Sequence, residues 1–187
     1  MSLIEGHYGV VILPDAATWR RARALARDTV GAADHATNSP VIPLFYAHFT
    51  GLRSSIVANI LGRLRQYGGH ALEMQIVEPH GARALVWKAV CDDVLRSMQC
   101  VCLTLGRYVD RDLPFRGEKD SLVIAPEELD AFRQSGYPFV SRFFIELAYR
   151  RQGWEKERRR ARQKVTIRDI VFAEIGCYGS FTKVADV

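Results

Sequence analysis

Several features are scarce in this sequence, and each absence excludes a class of protein. No apolar run approaches the roughly 20 residues that a membrane-spanning helix needs. Residues 1–7 contain no basic region followed by an apolar one, as a signal peptide would. The four cysteines match no metal-binding spacing. We therefore expect a protein without a membrane partner, metal or cofactor, with buried free thiols in the reducing cytoplasm.

The sequence does contain enough apolar material for a single core. The chain has 187 residues, of which 48% are hydrophobic, and this predicts one domain over residues 1–187. The net charge of +5 is concentrated in residues 150–164, where eight basic and two acidic residues give +6 and leave −1 for the rest of the chain. The basic character therefore belongs to one local segment.

Apolar periodicity and turn residues predict an α+β fold. Asp15 and either Asp92 or Asp93 are placed to cap helices, and Gly68-Gly69 is placed to end one. The predicted elements of the first part are strand 8–13, helix 16–29, two strand pieces within 41–52, a helix from residue 54 or 55, a hairpin of strands 71–77 and 84–90, and a helix after residue 93. Those of the second part are a loop over 107–120, a short strand 122–124, a short helix from 126 to about 134, a strand within 137–149, a helix over 153–164 and a strand pair 165–175 and 178–184.

The order strand, helix, strand, turn, strand occurs twice in this prediction, in residues 44–90 and in residues 140–185. His48 lies 30 residues before Glu78 and Phe144 lies 30 residues before Glu174, so a shift of 96 residues superposes the two halves without a gap. The repeat predicts two pseudo-symmetric lobes. The alternative is chance, because this order of elements is common.

The first half carries a histidine and a threonine two residues apart in a predicted strand. Residues i and i+2 of a strand share a face, so His48 and Thr50 point to the same side. An imidazole transfers protons near neutral pH, and a threonine hydroxyl can donate to a phosphate oxygen. In the second half, Phe144 and Glu146 occupy these positions, with Arg142 one step along. The pair predicts phosphate chemistry, with a structural, hydrogen-bonded histidine as the alternative for His48.

With Y-G-V-V-I-L at 8–13, A-H-F-T-G-L at 47–52, R-F-F-I-E-L-A at 142–148 and the closing strands at 167–184, the chain resembles the 2H phosphoesterase superfamily, also called the LigT or 2′-5′ RNA ligase-like group. The resemblance covers most of the chain. It implies a two-lobed fold, with antiparallel sheets lining a central cleft and helices outside. It also implies that each lobe supplies a His-x-Thr or His-x-Ser motif, and that one histidine acts as base and the other as acid in metal-independent phosphodiester cleavage.

The first motif of that family is present as His48 and Thr50, and the second is absent. Phe144 cannot transfer protons, an ionised Glu146 repels phosphate, and losing one general acid or base costs about 10²–10⁴-fold in rate. The resemblance therefore implies binding of a nucleotide or RNA phosphate, with weak or altered activity on a 2′,3′-cyclic phosphate or a 2′-5′ linkage. Arg142, Phe144 and Glu146 would form the substrate-binding wall. Glu146 is either a structural partner of Arg142 or a replacement acid whose pKa is raised by Phe144 and the cleft wall.

The basic segment supports a second hypothesis from another class, a non-catalytic module that binds RNA or a protein. Clustered basic residues beside aromatic rings are typical of nucleic-acid contact, although a solvated helix face is the common outcome. His7 is interpreted as a terminal residue, and His70 and His80 as turn histidines. The candidate nucleic-acid-binding residues are Arg150, Arg151, Trp154, Arg158, Arg159 and Arg160.

Overall fold

The computed structural model describes residues 2–28, 35–36, 40–80, 84–110, 143–150, 152, 154, 158–175 and 181–185, and these ranges form an α+β fold as predicted. The strands are β1 (Leu3–Pro14), β2 (His35–Ala36), β3 (Ile42–Arg53), β4 (Ala71–His80), β5 (Ala84–Ala89), β6 (Phe144–Tyr149), β7 (Arg159–Ile175) and β8 (Phe181–Val184). The helices are α1 (Ala16–Arg27), α2 (Ser54–Leu64) and α3 (Asp93–Cys102), with short 3-10 helices at Arg65–Tyr67 and Leu103–Tyr108.

The strands form one eight-stranded sheet in the order β2-β6-β5-β4-β7-β1-β3, with β8 also paired to β7. The paired strands run antiparallel throughout. The long strand β7 joins the two halves of the sheet, because its first part pairs with β4 and its second part with β1. The predicted hairpin is confirmed as β4 and β5.

The sheet is strongly curved. Strands β3 and β6 are separated in the strand order by β1, β7, β4 and β5, and in a flat sheet five spacings of about 4.8 Å would place them roughly 24 Å apart. Cα atoms of β3 and β6 nevertheless lie within 8 Å of each other. The strand that carries His48 and the strand that carries Glu146 are therefore neighbours in space.

One face of the sheet packs against the helices, and the two faces can be told apart along β3. Ala47 and Phe49 are buried in the same apolar cluster as Val57 of α2 and Leu95 of α3. The residues that alternate with them, including His48, point to the opposite face, because successive strand residues alternate sides. We call that opposite face the second face.

The predicted helix caps are confirmed. The Asp15 carboxylate accepts hydrogen bonds from the backbone N–H groups of Thr18 (2.8 Å) and Thr166 (2.7 Å), so it caps α1 and fixes that helix end to β7. Burial by itself raises the pKa of Asp15, but these hydrogen bonds outweigh it and leave the pKa below its usual value. Asp92 caps α3 through the backbone N–H of Leu95, at 2.8 Å.

Two sequence predictions are wrong in the described part of the chain. Arg159 to Lys164, predicted as the second half of a helix over 153–164, belong to β7. The described elements of residues 140–185 are the strands β6, β7 and β8. The two pieces proposed around Pro43 are one continuous strand, β3, which accommodates Pro43 at a register irregularity opposite Val11. The two-lobed arrangement stays a prediction.

The prediction of buried thiols holds for one cysteine. Cys102 is buried, and burial raises its pKa strongly, which keeps the thiol protonated. Cys91 is half-buried and Cys100 is exposed. Cys177 lies outside the described residues.

Candidate functional site

His48 and Thr50 lie in the middle of β3 and share the second face, as the strand prediction requires. Thr50 is exposed. The His48 side chain retains 19% of its accessible surface, while its Nδ1 atom is buried and has no hydrogen-bond partner in the described part of the chain. The accessible surface of the His48 side chain therefore belongs to atoms other than Nδ1.

A second imidazole lies beside His48, and sequence reasoning missed it. His7 pairs directly with His48 across the β1–β3 ladder, so the two side chains share a face. Their ring centroids are 4.5 Å apart, with 52° between the ring planes. No local pattern in the sequence could have indicated this contact, because it depends on the register of two strands about 40 residues apart.

A carboxylate completes the cluster. The chain leaving α3 runs along the edge of β3, where Val109 forms an isolated β-bridge with Phe49. The backbone N–H of the next residue, Asp110, donates a hydrogen bond to the His48 carbonyl oxygen at 2.9 Å. This places Oδ2 of Asp110 3.5 Å from Nδ1 of His48, which is longer than a direct hydrogen bond. The sequence prediction placed Asp110 in a loop and gave it no role.

These four residues provide two proton-transfer groups, a hydroxyl donor and a carboxylate on one surface. Two imidazoles whose ring centroids are 4.5 Å apart offer one group that can accept a proton and one that can donate it, which is the combination that acid–base chemistry needs. In the described residues, no group of three or more His, Cys, Asp or Glu side chains is placed to hold a metal ion.

The wall predicted from the second half lies on β6. Glu146 pairs with Val86 and Phe144 pairs with Lys88 across the β5–β6 ladder. Burial raises the pKa of Glu146 to about 8, which agrees with the interpretation of Glu146 as a group that stays protonated near neutral pH. Arg142, the proposed partner, lies outside the described residues.

The candidate nucleic-acid-binding residues have different surroundings. Arg158 Nε lies 3.3 Å from a carboxylate oxygen of Glu78, which also pairs with Lys88. Arg159 points toward α1, where it contacts the carboxylate of Asp28 at 3.7 Å and donates to the Leu25 carbonyl oxygen at 3.4 Å. These two arginines therefore make contacts within the protein.

The other members of that set are arranged as follows. The Arg150 guanidinium lies 6.0 Å from the centroid of the Trp154 ring, and Trp154 packs against the core, so this aromatic ring is engaged in the fold. Arg160 is exposed on β7. Arg151 lies outside the described residues.

Comparison with protein-family models, with curated proteins and with solved structures finds no match to this chain. In the described residues, the helices are too short or too polar to cross a membrane. The site must therefore be interpreted from its own geometry.

Proposed function

We propose that this chain is a 2H phosphoesterase-like protein that binds a nucleotide or RNA phosphate and cleaves a phosphodiester, a 2′,3′-cyclic phosphate or a 2′-5′ linkage, with altered activity. The observation that carries the proposal is the pairing of His7 with His48, 4.5 Å apart, beside Thr50 and Asp110. The family mechanism requires two imidazoles. His7 supplies the second imidazole that the degenerate motif at Phe144 does not.

In hydrolysis of a 2′,3′-cyclic phosphate, a water oxygen attacks phosphorus while Nε2 of His48 accepts the proton of that water. The bond from phosphorus to one ribose oxygen breaks, and this leaving oxygen takes a proton from the imidazolium of His7. Thr50 donates a hydrogen bond to a non-bridging phosphate oxygen. Asp110 acts as a positioning residue that faces the His48 ring from its Nδ1 side. Exchange with solvent then restores both imidazoles.

Glu146 would form the facing wall of the site. The close approach of β3 and β6, with Cα atoms within 8 Å, supports a cleft between their two second-face surfaces. With a pKa of about 8, Glu146 is mostly protonated at neutral pH, so it does not repel a phosphate as an ionised carboxylate would. Because Phe144 stands at the histidine position of the second motif, we expect a phosphodiesterase activity that differs from the family's ordinary activity.

The test is hydrolysis of 2′,3′-cyclic nucleotides and of a 2′-5′-linked dinucleotide, followed by chromatography. His48→Ala should reduce the hydrolysis rate by about 10²–10⁴-fold. Thr50→Val should reduce the hydrolysis rate more than Thr50→Ser does, because serine keeps the hydroxyl. His70→Ala is the matched control, because His70 is exposed before β4. A wild-type protein with no turnover, or a His48→Ala variant with full activity, would contradict the proposal.

A second candidate function is the non-catalytic RNA- or protein-binding module. The observation that favours it is the exposure of Arg160, Arg162 and Lys164 on β7. Binding without turnover, with a steep dependence on salt, would favour this alternative over the enzyme.

A further inference from the structure

The strand geometry of β7 divides its basic residues between two faces. Gln163 donates to the Thr18 hydroxyl of α1 at 3.0 Å, and Arg159 contacts Leu25 and Asp28 at the other end of that helix. Ala161, between them, is buried in the core cluster. The odd-numbered residues from 159 to 165 thus face the helices.

The alternating residues Arg160, Arg162 and Lys164 therefore point to the second face, and all three are exposed. Alternate residues of an antiparallel strand are about 6.8 Å apart, so the three side chains extend over about 14 Å. The pairing of β7 with β4 is irregular between Arg160 and Gln163, which bends the row locally. We call Arg160, Arg162 and Lys164 the β7 basic row. They make no ion pair with any residue that the structure describes.

Acidic residues near the row do not cancel its charge. Glu73 on β4 lies directly opposite Lys164. Asp169 lies beyond the row, and its carboxylate accepts a hydrogen bond from the backbone N–H of Ile170. Three cations against one facing carboxylate leave a net positive surface on the face that also carries His48 and His7.

We propose that the β7 basic row binds the sugar–phosphate backbone of a single-stranded RNA on the second face. A single row of cations along one strand suits one backbone, as in proteins that follow single-stranded nucleic acid, whereas a duplex presents two. The proposal deepens the proposed function and rests on it for the choice of RNA as the polyanion. It differs from the predicted set, since it requires Arg162 and Lys164 and assigns Arg158 and Arg159 to the fold.

The test is fluorescence anisotropy with a labelled 12-nucleotide single-stranded RNA, the same sequence as a duplex, and polyglutamate, over a range of salt concentrations. In the R160Q/R162Q/K164Q variant, RNA affinity should fall at least tenfold. The slope of log K against log salt should decrease in magnitude by about 2, because each single-strand phosphate contact contributes about 0.7. The matched control is R20Q/R21Q/R63Q, which removes three exposed charges from the helices.

Equal losses in the two variants would overturn the proposal, as would absence of RNA binding by the wild type or tighter binding of the duplex or of polyglutamate. Binding is measured without turnover, so the two proposals fail separately. A chain that binds RNA through the row and hydrolyses nothing would retain this inference and remove the proposed function. A chain that hydrolyses cyclic nucleotides, but whose RNA affinity is unchanged in R160Q/R162Q/K164Q, would retain the proposed function and remove this inference.

Discussion

His7 lies directly across the β1–β3 ladder from His48, and the two imidazole rings are 4.5 Å apart. The pairing brings a residue near the amino terminus beside the His-x-Thr motif of β3. It also matters for the proposed function, in which Phe144 stands where the second histidine is expected. A missing histidine at position 144 does not leave the site with a single proton-transfer group.

The titration of Glu146 should be visible as a pH dependence of stability. Burial raises its pKa from 4.5 to about 8, so between these values the folded state holds a proton that the unfolded state releases. Stability therefore falls as pH rises through this window and is level above it. Glu146→Gln should flatten the curve and stabilise the protein at pH 9 by about 1 to 3 kcal/mol. This is less than the whole pKa shift would contribute if each unit counted for its full value of about 1.36 kcal/mol.

Urea unfolding from pH 4.5 to 9 measures this effect, and Glu73→Gln is the control because Glu73 is exposed on β4. Parallel curves for wild type and Glu146→Gln would show that the carboxyl is ionised normally in the folded protein.

Asp15 should be important for stability because one carboxylate serves both α1 and β7. Asp15→Ala removes the acceptor for the backbone N–H groups of Thr18 and Thr166, and the loss should be about 1 to 3 kcal/mol in the free energy of unfolding. Asp15→Asn keeps an oxygen acceptor and should lose less than half as much. Equal losses in the two variants, measured by urea unfolding, would contradict the capping role.

Two adjacent arginines should differ in their effects on stability. Arg159→Gln breaks the contacts to Asp28 and Leu25 and should cost about 1 kcal/mol. Arg160→Gln changes an exposed side chain and should stay within about 0.5 kcal/mol of wild type. Thermal and urea unfolding of both variants compares them, and a larger loss in Arg160→Gln would mean that the two faces of β7 have been assigned the wrong way round.

Local signals in the sequence were sufficient for much of the fold. The caps at Asp15 and Asp92, the helix predicted from residue 54 or 55, and the β4–β5 hairpin all depend on short-range features, and the structure confirms them. His48 and Thr50 were found because both lie on one strand with a period of two.

The basic segment was predicted wrongly because arginine, lysine, glutamine and alanine all favour helices. Pairing with β4 on one side and β1 further along overrode that preference and made β7 a strand. The alternation of Ala161 and Val165 with Arg160, Arg162 and Lys164 was the available signal. His7 and Asp110 could not be found in this way, because each reaches His48 through a non-local pairing.

The most direct test of the histidine pair is the kcat for hydrolysis of a 2′,3′-cyclic mononucleotide by the wild type, His7→Gln, His48→Gln and the double variant. Each single variant should lose about 10²–10⁴-fold. The double variant should be no slower than the slower single one, because the two imidazoles act as a unit. A His7→Gln variant that keeps the wild-type kcat while His48→Gln loses it would contradict the account.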